Sequence, residues 1–326
     1  MQKVGIVVIG RNEGERLTAC LRSLLPSGAP IVYADSGSSD GSPELAEQLG
    51  AIVVRLDPAR PMNAARGRRE GTEALVARHS SLDYVFYIDG DCILQPEFLQ
   101  TAVTFLSEHP RAAAVCGQRS EIRPEASFYN RLCDEEWNTP VGQAAACGGD
   151  SVMRLAAVLE VGGFDEQLMA SEEPELSARL RAAGWQIWRI DAPMTKHDAA
   201  IYSFGAYWRR HLRGGVGYLQ AWRKTAALPQ RINGRTLRSS TFWAAILPLG
   251  VIILALVFGE PLTLLLLPAA YLLQIARIAS RWGPSKLHNW KAASVLMLIK
   301  QAEFIGAASA WLNLGKRDAI QYKSAK

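Results

Sequence analysis

The segment Tyr84-Val85-Phe86-Tyr87-Ile88-Asp89-Gly90-Asp91 decides the fold of this chain. Its five consecutive apolar or aromatic residues predict a strand that is covered on both faces, as in the parallel sheets of α/β proteins. Asp89 and Asp91 follow at the carboxyl edge, where open α/β sheets bind their ligands. Two carboxylates this close repel each other unless a cation lies between them, and their hard oxygens suit Mg²⁺ or Mn²⁺. A solvated turn has the same composition, so the rest of the chain must decide between the two.

Short apolar runs and amphipathic segments alternate through the first half of the chain. They predict strands at residues 4–9, 30–33, 51–56, 84–88, 112–116 and 186–190, and helices at 43–49, 64–78 and 97–105. This alternation predicts an α/β fold, with a mostly parallel, Rossmann-like sheet and helices on both faces. Residues 117–143 show no regular pattern, and residues 147–151 are predicted to form a tight turn before a helix.

The charge distribution and the cysteine content limit the classes of protein to which this chain can belong. Residues 1–198 contain 28 Asp and Glu against 19 Lys and Arg, whereas residues 199–326 contain 17 Lys and Arg but only 3 Asp and Glu. A basic, apolar tail is typical of a membrane-associated protein, and its long uncharged runs argue against nucleic acid as a partner. The five cysteines include no Cys-x-x-Cys pair. They are interpreted as core residues of a protein that is located in a reducing compartment. The amino terminus does not resemble a signal peptide, so the first domain is expected in the cytoplasm.

The tail contains two uncharged runs, residues 239–259 and 261–276, separated by Gly259-Glu260-Pro261. They predict a transmembrane hairpin, and the basic residues on both outer flanks place those flanks at the cytoplasmic face of the inner membrane. Residues 292–314 are apolar but interrupted by Lys300, Gln301 and Glu303. They are predicted to lie in the membrane–water interface, and a third transmembrane helix is the alternative. A buried helical core is the remaining alternative for the whole tail.

Several motifs, taken in order, resemble family 2 inverting glycosyltransferases of the GT-A fold. They are Ile9-Gly10-Arg11-Asn12-Glu13, the loop Asp35-Ser36-Gly37-Ser38-Ser39-Asp40-Gly41, Ala65-Arg66, and Asp89-Gly90-Asp91. The resemblance covers about residues 3–215. It implies a catalytic domain over 1–215, and the charge and hydropathy of the remaining chain predict a basic linker at 216–240, a hairpin at 241–279 and an interfacial region at 280–326.

The resemblance implies that a nucleotide-diphosphate sugar binds at this sheet edge. Asp35 would contact the nucleobase, Arg66 would lie near the nucleotide, and Asp91 would hold the metal that bridges the diphosphate. The full set of predicted donor-binding residues is Asn12, Glu13, Asp35, Ser36, Arg66, Asp89, Gly90, Gly149, Asp150, Arg210 and Arg213. The alternatives are purely structural roles. Asp35 would be a turn residue, Asp150 would cap a helix, and Arg210 and Arg213 would be charges beside the membrane. The family often has Asn where this chain has Gly67, so Arg68 and Arg69 could serve the diphosphate or merely solvate the helix.

The segments 161–166 and 171–176 resemble the part of the family that supplies the catalytic base. The resemblance aligns Glu173 with the base, which takes the proton of the acceptor hydroxyl, and leaves Glu172 as the second candidate. The alternative is that these acids stabilise a helix N-terminus. His197 is predicted as a further metal ligand beside Asp91, with a structural histidine as the alternative. The chain lacks the Gln-x-x-Arg-Trp motif of processive members, which favours the addition of a single sugar.

The sequence therefore predicts a membrane-anchored, Mg²⁺- or Mn²⁺-dependent inverting glycosyltransferase. Its acceptor would be a polyprenyl-linked or other glycan for exopolysaccharide or surface polysaccharide, and membrane lipids would be its other partners. Two alternatives remain. One is a nucleotidyltransferase that makes sugar nucleotides, although residues 10–14 are a sparse match to the Gly-rich phosphate loop of such enzymes. The other is an inactive sugar-nucleotide-binding scaffold, against which the acids at 89, 91, 172 and 173 argue.

Overall fold

The computed structural model describes residues 3–312, which divide into two compact units. Within the described chain, the first unit contains residues 3–203 and 223–232, and the second contains residues 204–222 and 233–312. The division at 203 lies before the predicted domain boundary at 215, because residues 204–224 form one continuous helix. The predicted functional boundaries of the domains stay predictions.

The amino-terminal half of the first unit is a parallel α/β layer. Its strands are β1 (Val4–Gly10), β2 (Ile31–Asp35), β3 (Ile52–Arg55) and β4 (Tyr84–Asp89), and its helices are α1 (Glu15–Leu24), α2 (Ser42–Gln48) and α3 (Ala64–Arg78). These strands run parallel in the order β3-β2-β1-β4. Apart from the partly buried Val4, the apolar residues of β1, β2 and β4 are buried in the core, as their continuous apolar runs predict. The α/β prediction is confirmed.

The second half of this unit extends the same sheet. Its elements are β5 (Cys92–Leu94), α4 (Phe98–Glu108), β6 (Ala112–Glu121), α5 (Phe128–Trp137), β7 (Gly142–Gln143), β8 (Ser151–Arg154), α6 (Leu155–Glu160), α7 (Glu172–Ala182) and β9 (Gln186–His197). The order continues β4-β8-β6-β9-β5, and β8 runs antiparallel to both β4 and β6. The parallel pair β6–β9 reaches as far as Glu121 opposite His197, which carries β9 to the edge where β4 ends.

Two local predictions are wrong. Residues 117–143, expected to be irregular, contain the end of β6 and the helix α5, whose N-cap Ser127 accepts a hydrogen bond from the Asn130 N–H. The predicted turn before a helix at 147–151 leads first into β8. The outer parts of β6 and β9 carry polar residues and therefore lack the apolar pattern by which a strand is recognised in a sequence. They form strands because they pair with each other.

The second unit is helical. It contains α8 (Phe204–Lys224, apart from its last two residues), α9 (Gly234–Thr241), α10 (Leu247–Phe258), α11 (Leu266–Trp282) and α12 (Leu287–Leu312). A π-helical turn joins α9 to α10 without a break, and a 3₁₀ turn precedes α11. The stretches Gly234–Phe258, Pro261–Trp282 and Leu287–Leu312 are each long and apolar enough to cross a membrane. The first two match the predicted hairpin, with Gly259 in a left-handed turn between them.

The polar residues that interrupt α12 have partners within the helical unit. Lys300 Nζ lies 2.8 Å from the Glu303 carboxylate, and His211 Nδ1 lies 3.6 Å from the same group. The Gln301 amide and the Tyr271 hydroxyl are 2.8 Å apart. The helix α12 is thus long enough to span a membrane, and these polar side chains are paired with other residues of the helical unit. Its predicted interfacial placement stays a prediction, and residues 313–314 lie outside the described chain.

Candidate active site

Two strand ends bring the predicted metal ligands together at one edge of the sheet. Asp89 closes β4, and Gly90 then lies so near β1 that a Cβ would stand 3.1 Å from the Ile9 carbonyl oxygen. The Gly90 N–H donates a hydrogen bond to that carbonyl, and the chain turns between Asp89 and Asp91. Antiparallel pairing sets Cys92 of β5 opposite His197 of β9. As a result His197 Nε2 lies 3.2 Å from Asp91 Oδ1.

The side chains at this edge fit a divalent metal ion. One ligand atom from each of Asp89, Asp91, Cys92 and His197 lies within 4.8 Å of the others. Burial raises the pKa of the Cys92 thiol well above its ordinary value, and a soft sulfur ligand does not suit Mg²⁺ or Mn²⁺. The two carboxylates and the imidazole remain, and His197 Nδ1 is buried without a hydrogen-bond partner. Oxygen ligands with one imidazole suit Mg²⁺ or Mn²⁺. Asp91 and His197 thus lie close enough to share an ion, and their roles as metal ligands stay predictions.

A buried arginine connects this edge to the candidate bases. Arg68 on α3 is about 2% exposed, and its guanidinium lies 2.9 Å from Asp89, 2.6 Å from Glu172 and 3.1 Å from Glu173. Both glutamates stand in the first turn of α7. The alternative that Arg68 solvates its helix is wrong, whereas Arg69 does pair with Glu73 at the surface. The sequence left a contact with the diphosphate open for Arg68 and did not predict its contacts with these three acids.

A second arginine holds the other side of Asp89. Arg119 of β6 lies 2.7 Å from the Asp150 carboxylate and 3.7 Å from that of Asp89. Asp150 also accepts hydrogen bonds from the Thr195 hydroxyl and from the Asp89 N–H. A strand follows Asp150, so the alternative that it caps a helix is wrong. Asp150 is fully buried and orients Asp89, while its predicted contact with the donor stays a prediction.

The carboxylates of the cluster differ in their affinity for protons. Burial and the neighbouring Glu172 carboxylate raise the pKa of Glu173 to about 7. Burial also raises the pKa of Asp89 from its ordinary value. Burial would do the same at Asp150, but the Arg119 guanidinium overcomes it and holds the pKa of Asp150 below its ordinary value. A carboxylate whose pKa is near neutral pH, in the first turn of a helix, is suited to accept a proton during catalysis.

The predicted nucleobase loop lies at the ends of β1 and β2, where its polar groups form hydrogen bonds with one another. Asp35 is about 2% exposed and accepts hydrogen bonds from the Gly37 and Ser38 N–H groups and from the Tyr33 hydroxyl. The Asn12 carboxamide oxygen accepts from the Ser39 N–H. Other predicted donor residues nearby, Glu13 and Ser36, are also buried, and Glu13 pairs with Arg16. The structure thus gives Asp35 a loop-shaping role, and its contact with a nucleobase stays a prediction.

Arg66 and Arg68, two positions apart on α3, have different partners. Arg66 donates to Glu70 and to the backbone carbonyls of Asp57, Arg60 and Pro61, which anchors the loop before α3. These contacts separate it from the Asp89 cluster, so its predicted place near the nucleotide stays untested.

The remaining predicted donor residues lie in two places. Gly149 stands against the Arg68–Asp89 pair, where a Cβ would be 2.7 Å from Arg68 Nη2 and 2.8 Å from Asp89 Oδ2. Arg210 and Arg213 lie on α8 in the second unit, and their predicted contact with the donor stays a prediction.

Comparison with known proteins identifies the class. The sequence profile of "Glycosyl transferase family 2" matches residues 5–151, and that of "Glycosyl transferase family group 2" matches residues 84–277. The chain is 26% identical over 273 residues to the succinoglycan biosynthesis protein ExoA of Rhizobium meliloti, covering 76% of this chain and 81% of ExoA. It is 22% identical to the glycosyltransferase AglE of Haloferax volcanii, covering 74% of this chain and 79% of AglE.

Solved structures show the same fold. The mannosyltransferase PcManGT from Pyrobaculum calidifontis, solved with GDP-Man and Mn²⁺, superposes with a TM-score of 0.61 at 18% identity, covering 94% of this chain and 87% of that one. S. aureus TarS 1–349 superposes with a TM-score of 0.51 at 14% identity, covering 93% and 90% of the two chains. The fold is therefore GT-A, as predicted. The chain belongs to the family 2 glycosyltransferases, and it is a glycosyltransferase enzyme that uses a nucleotide sugar.

Proposed function

We propose that this glycosyltransferase is a metal-dependent inverting enzyme, with Asp91 and His197 as metal ligands and Glu173 as the catalytic base. The observation that carries the proposal is the convergence of β4, β5, β9 and α7 on one cluster. There the possible metal ligands lie within 4.8 Å of one another, and Arg68 connects Asp89 to Glu173. Mn²⁺ in the PcManGT structure supports a divalent ion in this fold.

In this mechanism Glu173 takes the proton of the acceptor hydroxyl as that oxygen attacks the anomeric carbon. The new glycosidic bond forms while the bond between the anomeric carbon and the diphosphate oxygen breaks, and the nucleotide diphosphate leaves. A bound divalent ion would neutralise the charge that develops on the diphosphate. Glu173 must be ionised to act, and its first-turn position on α7 and its contact with Arg68 orient it. Asp150 and Arg119 hold Asp89 toward the donor from the opposite side.

The acceptor is proposed to be a lipid-linked glycan of a surface polysaccharide or exopolysaccharide. ExoA, a relative over most of both chains, is named for succinoglycan biosynthesis. Three helices long enough to cross a membrane support an acceptor that is itself membrane-bound. The basic flanks of the hairpin favour the inner membrane, with the catalytic unit in the cytoplasm.

The test uses membranes that contain the full chain. They are incubated with UDP-glucose, UDP-galactose, UDP-N-acetylglucosamine or GDP-mannose, with Mg²⁺, Mn²⁺ or EDTA. We expect release of nucleotide diphosphate from one donor, loss of that release with EDTA, and its recovery when Mn²⁺ is added back. Release that continues unchanged in EDTA would contradict the metal role.

Two variants separate the proposed roles. Asp91→Asn should abolish stimulation by the metal, whereas Asp191→Asn, at an exposed position of β9, should leave it unchanged. Glu173→Gln should retain binding of UDP or GDP but lower turnover by about 100-fold or more, as loss of a general base does. Unchanged turnover in Glu173→Gln would move the base to Glu172.

A further inference from the structure

Arg68 is the one described cation that contacts both candidate bases and the strand-end aspartate. Its Nη1 donates to Glu172, while its Nη2 lies within 3.1 Å of both Asp89 and Glu173. These acids come from two elements, β4 and α7, that are far apart in sequence. A planar guanidinium with fixed donor directions sets the distances among all the groups it binds.

Glycines make room for this side chain. A Cβ on Gly71 would stand 2.5 Å from Val7 Cγ1, so its absence lets α3 pack close to the sheet and brings Arg68 toward the end of β4. Gly149 leaves the space into which Arg68 Nη2 extends. The Phe164 ring lies 5.6 Å from the guanidinium carbon and covers it from another side. The surroundings of Arg68 are therefore built to hold one conformation.

One carboxylate would balance the charge of Arg68, although its five N–H donors need further acceptors. Backbone carbonyls can be those acceptors, as they are for Arg66. Arg68 instead divides its donors between the base candidates and the acid beside the metal site. The shared cation also offsets the repulsion among three carboxylates, which would otherwise move apart.

We propose that Arg68 is a positioning residue that fixes Glu173 relative to Asp89, so that the base and the donor edge keep one mutual arrangement. The inference rests on the proposed function, because it assumes that Glu173 is the base. Arg68 itself touches neither acceptor nor sugar in this scheme. Displacements of about 1 Å among catalytic groups can cost about 100-fold in rate, so loss of Arg68 should appear mainly in kcat.

The test compares Arg68→Lys and Arg68→Gln with wild type in the full chain, using the most active of the four named sugar nucleotides. Lysine keeps the charge but cannot bridge three carboxylates. We expect kcat to fall about 10-fold in Arg68→Lys and about 100-fold in Arg68→Gln, with donor KM changed less than about threefold. Arg78→Gln is the matched control, since that side chain is exposed in the last turn of the same helix, and its kcat should stay at the wild-type value.

A double-mutant cycle separates positioning from a general effect on folding. If Arg68 acts through the base, Arg68→Lys should lower kcat much less in a Glu173→Gln background than in wild type. Equal effects in both backgrounds, or a loss confined to KM, would overturn the inference. UDP and GDP binding and thermal denaturation of Arg68→Lys check that the chain is folded. If wild type transfers sugar but both Arg68 variants keep its kcat, the inference fails while the proposed function stands.

Discussion

At the scale of single residues, the two adjacent glutamates of α7 have different surroundings. Glu172 is buried and makes the shorter contact with Arg68, at 2.6 Å against 3.1 Å for Glu173. Glu173 is more accessible, and its pKa is raised to about 7. One carboxylate is thus committed to the ion pair while its neighbour can exchange a proton. Environment, more than residue type, favours Glu173 as the base.

The rate of sugar transfer should rise as pH increases through about 7. Burial and Glu172 disfavour the ionised form of Glu173, so below that pH the group is protonated and cannot accept the acceptor proton. The measurement is kcat against pH with saturating donor. Replacing Glu172 by Gln removes one cause of the raised pKa of Glu173, and the rising limb should move to lower pH. A limb that stays in place would show that another group controls it.

Gly149→Ala should lower kcat by about 10-fold or more without unfolding the chain. The new Cβ would stand 2.7 Å from Arg68 Nη2 and 2.8 Å from Asp89 Oδ2, so one of these side chains must move. Gly148→Ala is a matched control, because no atom lies within 4 Å of a Cβ at that position. The measurement is kcat for both variants beside wild type. Equal rates for both would show that the cluster tolerates the displacement.

At the scale of elements, the strength of the local pattern decided what could be predicted. The helix over 64–78 and the strand at 84–88 are observed as α3 and β4 with at most one residue of difference. The strand could be predicted because its apolar run is complete within the segment. The polar ends of β6 and β9 were missed, since only pairing with each other makes them strands. The antiparallel insertion of β8 was missed for the same reason.

The candidate site shows the same limit. The acids and His197 could be named from motifs, because each is a residue type that the chemistry needs at a strand end or helix start. The contacts of Arg68 could not be named, since its partners lie 21 and 104 residues away along the chain. The glycines at 67 and 71, which let α3 approach the sheet, were the available signal.

The helices α8 and α12 cross at two glycines, and this crossing should be sensitive to a single methyl group. A Cβ on Gly306 would collide with the Leu212 carbonyl, and one on Gly215 with the Glu303 carbonyl. Gly306→Ala should therefore lower the midpoint of thermal denaturation in detergent by about 3 °C or more, as overpacking costs about 1–3 kcal/mol. Gly250→Ala, with open space around its Cβ, should have no such effect. Equal midpoints for the two variants would show that the crossing can relax.

At the scale of the whole molecule, the placement of α12 depends on what it packs against. Its middle pairs with Tyr271 of α11, as a third span would. Its later part, however, crosses α8 at Gly306, and α8 carries Arg209, Arg210 and Arg213 within the same unit. Several arginines at the centre of a bilayer are costly, so this crossing favours the level of the lipid headgroups. Lys316 and Arg317 follow in the sequence and favour the cytoplasmic side.

Single cysteines should therefore report the same side for both ends of α12. The five native cysteines are buried, so Glu260→Cys, Lys286→Cys and Leu312→Cys, each at an exposed position, can be labelled above a low background. A membrane-impermeant maleimide should label Glu260→Cys on intact cells, because that residue lies in the turn of the hairpin. It should label the other two variants only after the cytoplasmic face is opened, since both ends of an interfacial helix stay on one side. Labelling of Leu312→Cys from outside, with Lys286→Cys still protected, would show that α12 crosses the membrane. The contacts of α12 with the other helices would then stabilise it more than burial of the α8 arginines costs.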